Sequence, residues 1–282
     1  MSLPVIGFDV NDAGLGDLVC MAWLAEGYRH DNIGTPVFDP SGMTVPRRDL
    51  LGMLGQRISD CGSCSGIAIS MYHHEMHTSR GDRPRLQVWS ELLPGNPRPI
   101  RPSIHTNEQF TQGRDFVRKK KDRKTVVLFP SANFSVRAWP SAYWLDLATL
   151  LSSAGVRVIA LDTDDRVISR MDGTVEVAWG HPIQWLGGVI LESDFVVTND
   201  SGPAHLAATL KVGRSAAIMG PTRNVVLSMG AEEWASERAC TGCYFQRERG
   251  FRPACDMMCR SMAEFTPEEA ARRVLARLAA QS

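Results

Sequence analysis

The stretch Val196-Val-Thr-Asn-Asp-Ser-Gly-Pro-Ala-His-Leu-Ala207 holds the densest set of residues able to do chemistry in this chain. An apolar strand ends there, a small polar turn follows, and a helix is expected from Ala204 to about Leu210. Such a junction aims backbone N–H groups past the C-terminal edge of the strand, where open α/β sheets bind ligands. Ser201, Gly202 and Pro203 form the turn into the helix, and the first two allow close approach. A helix N-terminus favours an anion by about 0.3–1 kcal/mol. Asp200 would repel a phosphate directly, so its expected task is to orient a hydroxyl or a neighbouring group. His205, one turn into the helix, could donate to a phosphate or to Asp200. The plain alternative is an ordinary capped helix with a satisfied histidine.

Thiolate chemistry is the second signal. Cys240-Thr-Gly-Cys243 is followed, after eleven residues, by Cys255-Asp-Met-Met-Cys259. Two close pairs joined by a short loop can set four thiolates tetrahedrally around one ion, and both iron and zinc accept that set. A closed four-thiolate site leaves no position open for substrate, so its expected job is structural, contributing about 10–16 kcal/mol of binding energy to local order. A third cluster joins Cys61-Gly-Ser-Cys64 to His73, His74 and His77. Its readings are a second zinc site, a polar role at a cleft, or plain structure. The order His-His-Glu-Met-His lacks the His-Glu-x-x-His arrangement of metalloproteases.

The elements that must position these groups alternate between strand and helix. Leu3–Val10 reads as a strand, Asn11–Asp17 as a Gly-rich turn, and Leu18–Tyr28 carries apolar residues at helical spacing. The stretch 31–107 is rich in Pro, Gly, His and Arg and reads as irregular α/β. The charge run Arg118–Lys124 reads as a solvated linker or a phosphate-facing patch, and it ends sharply at the apolar strand Thr125–Phe129. The pattern then continues: helix 141–154, strand 156–161, helix 182–191, strand 195–198, the turn and helix above, and strand 215–219. That alternation implies a parallel, doubly wound sheet. Thr266 with Pro267 opens a last helix, Thr as cap and Pro at the first helical position. The expected units are therefore 1–122, then 123–265 including the knuckle at 240–259, then the helix 266–282.

Bulk composition narrows the partners. Lys+Arg and Asp+Glu balance at 31 each over 282 residues, which argues against nucleic acid as the main partner. No apolar run approaches the roughly 18–20 residues needed to span a bilayer, and no signal-peptide core opens the chain, so a cytoplasmic protein without membrane insertion is expected.

Asn199-Asp-Ser-Gly-Pro-Ala-His205 with Ile218-Met-Gly-Pro-Thr222 resembles the donor-binding region of the bacterial ADP-heptose heptosyltransferases of glycosyltransferase family nine. Phe129-Pro-Ser-Ala-Asn-Phe-Ser-Val-Arg-Ala-Trp-Pro140 with Tyr143-Trp144 does so too, and Gly14-Leu-Gly-Asp-Leu-Val19 is similar to the family's Gly-Asp turn. The resemblance implies a GT-B fold, two Rossmann-like domains facing a cleft, with the N-terminal one reduced here. It also implies metal-independent, inverting transfer of a sugar from a nucleotide donor, best read as heptose from ADP-heptose, to a hydroxyl. Asp17 falls where the family keeps its catalytic base, and a carboxylate at a strand–helix turn suits that role; it could equally cap the helix. The resemblance puts Arg137 near the donor diphosphate and Thr222 near the phosphate or nucleotide, whereas Trp139 reads as packing. The cysteine knuckle is similar to that of the autotransporter heptosyltransferases, which glycosylate protein Ser/Thr, hold iron and assemble into rings. It tilts the acceptor toward protein and the metal toward iron, with glycan as the other acceptor and a homo-oligomer as an open question. The N-terminal part is short for an acceptor domain of this fold, so neither acceptor nor ring carries over. Two other readings compete: transfer to a modified DNA base, with Arg114–Lys124 as the contact, and a non-catalytic nucleotide-binding scaffold.

Overall fold

The structure, a computed structural model, describes the chain apart from residues 1–2, 12, 42, 60–82, 121, 163–167, 172, 224, 239, 244–258 and 282. The chain opens with strand β1 (Val5–Phe8), helix α1 (Leu15–His30) and strand β2 (Thr35–Phe38). β1 and β2 pair in parallel, Val5 opposite Thr35 through Phe8 opposite Phe38. Helix α1 starts three residues before the expected Leu18. Asp17 Oδ2 accepts the Gly14 N–H at 3.0 Å, and the Leu18 N–H reaches the Gly14 carbonyl at 3.1 Å, so the first turn closes inside the Gly-rich segment. Helices α2 (Val45–Met53), α3 (Arg85–Leu92) and α4 (Glu108–Arg118) follow. The Cys61, Cys64, His73, His74 and His77 cluster lies outside the described residues.

From Thr125 onward strands and helices alternate: β3 (Thr125–Phe129), α5 (Ser141–Ser153), β4 (Arg157–Asp162), β5 (Glu176–Trp179), α6 (Ile183–Glu192), β6 (Phe195–Asn199), α7 (Gly202–Leu210), β7 (Ser215–Ile218) and β8 (Glu232–Trp234). Short helix α8 (Arg260–Glu264) and α9 (Pro267–Ala279) close the chain. All pairings in the six-stranded sheet are parallel, in the order β5-β4-β3-β6-β7-β8. The sheet grows outward in both directions from β3 and β6. Their carboxyl ends therefore flank the point where the winding reverses, and a crevice opens there. Strands β5 and β8 were not evident in the sequence; both are short edge strands.

Both faces of this sheet are covered, which is why its four inner strands read as continuous apolar runs. Side chains of β3 alternate: Val127 and Phe129 join one buried cluster, Val126 and Leu128 the other. The first cluster runs without a break from Phe8 and Leu18 through Phe110 to Val196, so the N-terminal elements and the large sheet share one core. The second holds Trp139, Trp144 and Trp234 beneath α5 and α9.

Small residues set the spacing of the two halves. A Cβ on Gly188 of α6 would fall 2.0 Å from the Phe110 carbonyl oxygen of α4, and one on Gly113 would fall 2.1 Å from that of Trp185. The helices thus meet backbone to backbone. Nearer the crevice, the buried Trp23 indole N–H of α1 donates to the Thr209 hydroxyl of α7 at 2.9 Å. Much of the basic run is ion-paired: Arg114 and Arg118 both reach Glu192 at 3.1 Å, Lys120 reaches Glu176 at 3.4 Å and Lys124 reaches Asp194 at 3.5 Å. Among the described residues no helix is long and apolar enough to cross a membrane.

Candidate active site

At the reversal point Asn199, the last residue of β6, is fully buried and braces two loops. Its Oδ1 accepts the Trp139 N–H at 2.9 Å and its Nδ2 donates to the Pro130 carbonyl at 2.5 Å. That brace fixes the loop carrying the short 3-10 turn Ser135–Arg137, and so sets the Arg137 guanidinium beside Asp200, with Nε 3.6 Å from Oδ2. Trp139 is buried against Tyr143 and Trp144, which is the packing role expected of it.

Helix α7 opens at Gly202, two residues before the expected Ala204. Pro203 fits the first turn because it has no N–H to leave unsatisfied. Ser201, at the cap position, does not cap through its side chain; its hydroxyl donates to the Asn199 carbonyl at 3.3 Å instead. The Gly202 N–H has no acceptor within the helix, as at any helix start.

The N-terminal half supplies the facing wall. Arg47 of α2 donates to the carbonyls of Val10 at 2.9 Å and Ala13 at 2.8 Å, pinning the turn that precedes α1. That turn meets α7 directly. A Cβ on Gly16 would lie 2.5 Å from His205 Cδ2, and one on Gly202 would lie 3.1 Å from Leu15 Cβ. Asp17 divides its two oxygens: Oδ2 caps the helix, while Oδ1 lies 3.4 Å from Arg85 Nη1. Both properties weighed from sequence, a helix cap and a carboxylate at the cleft, are present in one side chain.

The result is a cavity of about 430 Å³ lined by Gly14–Asp17, Arg85, Asn133, Phe134, Arg137, Asp200–Gly202 and His205. Carboxylates and guanidiniums alternate around it. Burial pushes the Asp200 carboxyl up, but Arg137, the Thr222 hydroxyl and Arg85 outweigh it and hold the group below the ordinary carboxylate value. Burial, reinforced by Arg85, lowers His205 to about 4, so its ring is neutral at pH 7. Its Nδ1 lies 3.5 Å from Cys20 Sγ, and burial pushes that thiol up to about 12. Cys20, rather than Asp200, is thus the imidazole's hydrogen-bond neighbour.

Of the residues singled out from sequence, Asp17, Arg137, Asp200, Ser201, Gly202 and His205 line this one cavity. Thr222 and Pro203 do not. The Thr222 side chain is fully buried and donates its hydroxyl to Asp200 Oδ2. Pro203 faces a small apolar recess beside the cavity, with Leu15, Val19 and Leu206. Asn133 and Phe134 also line the cavity, from inside the 129–140 motif but with no role expected of them there; Arg85 lies 68 residues from Asp17 with no motif around it.

Three of the four knuckle cysteines are described, and Cys255 is not. The Gly242 N–H donates to the Gly220 carbonyl at 2.8 Å within the Cys240–Cys243 turn, and a Cβ on Gly220 would lie 3.0 Å from Cys259 Sγ. Among the described residues no group of three or more His, Cys, Asp or Glu is arranged to hold an ion.

Several solved structures share this architecture. ADP-heptose LPS heptosyltransferase II of E. coli superposes with a TM-score of 0.65 at 15% identity, covering 100% of this chain and 99% of that one. A family 9 glycosyl transferase of Veillonella parvula gives 0.67 at 13% identity, covering 99% of each. The iron-containing dodecameric glycosyltransferase TibC of enterotoxigenic E. coli gives 0.64 at 14%, covering 99% of this chain and 77% of that one. TibC is also solved in complex with ADP-D-β-D-heptose, with a TM-score of 0.62 at 14% identity over 99% of this chain and 76% of that one. At these identities the likeness establishes the fold, the GT-B architecture of heptosyltransferases. No curated protein matches the chain in sequence. The sequence model of glycosyltransferase family 9 (heptosyltransferase) matches residues 97–248, more than half of the chain. The protein belongs to glycosyltransferase family 9 and is a glycosyltransferase.

Proposed function

We propose that this glycosyltransferase moves a sugar, heptose from ADP-heptose in the best reading, onto a hydroxyl acceptor with inversion at the anomeric carbon. The observation that carries the reading is the single cavity in which the Asp17 carboxylate of one half faces Arg137, Ser201 and Gly202 of the other. Asp17 serves as general base: it takes the proton of the acceptor hydroxyl as that oxygen attacks the anomeric carbon, a contribution typically of about 10²–10⁴-fold. The leaving nucleotide diphosphate gathers charge as the glycosidic bond breaks. Arg137 and the main-chain N–H groups at the start of α7 meet that charge without a catalytic metal. Asp200 anchors Arg137 and orients a hydroxyl of the donor, Thr222 holds Asp200 from behind, neutral His205 completes the wall, and Pro203 shapes the first turn of α7 beside it. ADP-D-β-D-heptose bound by a protein of the same fold supports the choice of donor.

The same reading assigns the acceptor side to residues 1–122, the donor side to 123–265 and a packing helix to 266–282. The acceptor is a protein Ser/Thr hydroxyl or a glycan, and the setting is the cytoplasm. It includes one structural iron or zinc on Cys240, Cys243, Cys255 and Cys259. Support for that site comes from the Gly220 backbone, which touches both the Cys240–Cys243 turn and Cys259, and from the iron of TibC. The ion would brace the chain beside β7, and no chemical step passes through it.

A thermal-shift titration against a panel of nucleotide sugars tests the donor. ADP-heptose raises the melting temperature of the wild type, because a ligand that binds only the folded state stabilises it, and R137A blunts the shift. A panel in which no nucleotide sugar moves the transition sinks the reading.

A further inference from the structure

We infer that Arg85 is a positioning residue for the transfer, fixing the orientation of the Asp17 carboxylate and keeping it ionised. The inference rests on the proposed role of Asp17 as base and adds a residue to it. Arg85 opens α3, and its side chain is buried to all but 9%. The guanidinium carbon lies 5.6 Å above the centre of the Trp89 ring one turn later, which holds the side chain toward the cavity. From there Nη1 reaches Asp17 Oδ1 at 3.4 Å while the Gly14 N–H holds Oδ2 at 3.0 Å. The carboxylate is gripped at both oxygens, by a main-chain donor and by a charge.

Several other groups face this pair among the described residues. Cys20 lies on α1, Asp200 and His205 on the β6–α7 junction, and Arg137 on the loop after β3. His205 and Cys20 are both neutral at pH 7, as burial shifts each away from its charged form. Asp200 has Arg137 and Thr222 for partners. Arg85, 3.4 Å from Asp17 Oδ1, is a buried cation placed to offset it. When Asp17 takes the acceptor proton it becomes neutral, and Asp200 is then the carboxylate left facing the positive charge of Arg85.

The test reads ionisation and catalysis separately. The carboxyl ¹³C resonance of Asp17, identified by its loss in D17N, is titrated in wild type, R85K and R85Q. Losing a neighbouring cation raises a carboxyl by about one unit or more, so R85Q should titrate that much higher, with R85K between. In ADP release from ADP-heptose, R85Q should lose at least about tenfold in kcat with the donor KM within about threefold, and the acid limb of its pH profile should move to higher pH. Guanidinium at millimolar, non-denaturing concentration should restore part of the activity of R85A. If R85Q does not fold, R85K decides, because an ammonium lacks the planar fork that meets a carboxylate. Asp17 titrating as in wild type in R85Q, or R85K with wild-type kcat and pH profile, overturns the assignment. A D17N protein that still turns over donor sinks the base reading instead, and leaves the titration to decide the Arg85–Asp17 pairing by itself.

Discussion

Asp17 shows how one short side chain serves structure and chemistry together. One oxygen closes the first turn of α1 and the other faces the cavity, so its position is set by the helix it caps. His205 is held in a different way, by burial. A ring that titrates near 4 when folded and at 6.5 when free binds fewer protons in the native state. Folding stability is therefore complete above pH 6.5 and is lost as pH falls toward 4, by about 3 kcal/mol for this one group. H205Q has no such proton to refuse. Denaturant midpoints of the two proteins, measured from pH 7 to pH 4 at constant ionic strength, should converge as the wild type loses stability faster; parallel curves would contradict the buried neutral ring. The contiguous 199–205 motif was legible because a strand end, a turn and a helix start place its groups by local geometry alone. Arg85 was illegible for the opposite reason: only the tertiary fold brings α3 beside α1.

Elements behaved similarly. β3, β4, β6 and β7 are buried on both faces and announce themselves as apolar runs, and α9 carries its own start signal in Thr266, whose hydroxyl accepts the Glu269 N–H at 3.3 Å. β8 has only three residues, two of them Glu, and β5 is an edge strand whose Trp179 is half exposed, so neither carries the composition of a buried strand. Helices α4 and α6 depend on glycines whose importance cannot be read from either segment alone. G188A forces a Cβ against the Phe110 carbonyl and should destabilise by about 1–3 kcal/mol or more, through backbone displacement. Gly52 of α2, with nothing within 4 Å of its added Cβ, is the internal comparison. G52A should be neutral or stabilise by up to about 1 kcal/mol through helix propensity. Urea denaturation of both variants checks the pair, and equal effects would refute the close helix contact.

At the scale of the whole molecule, one apolar cluster spans both halves, so the elements that carry the two cavity walls share a core that includes Phe110 and Trp185. Of the cysteines proposed to hold an ion, Cys259 lies in the second core with Met262 and Phe265. The proposed ion should appear as about one iron or zinc per chain in elemental analysis, and C243S should lose metal and thermal stability together. A fully folded wild type without metal would end that part of the account. The four inner strands of the large sheet were legible because they are apolar runs alternating with helices. The way the N-terminal elements lean on it was not, since that depends on side-to-side contacts between α1 and α7. Those contacts create the cavity proposed as the place of transfer. The most direct test is ADP release from ADP-heptose by wild type and D17N at matched donor occupancy. With Asp17 as base, D17N should keep donor affinity within about threefold and lose about 10²–10⁴-fold in turnover. Equal turnover in the two proteins would contradict that role.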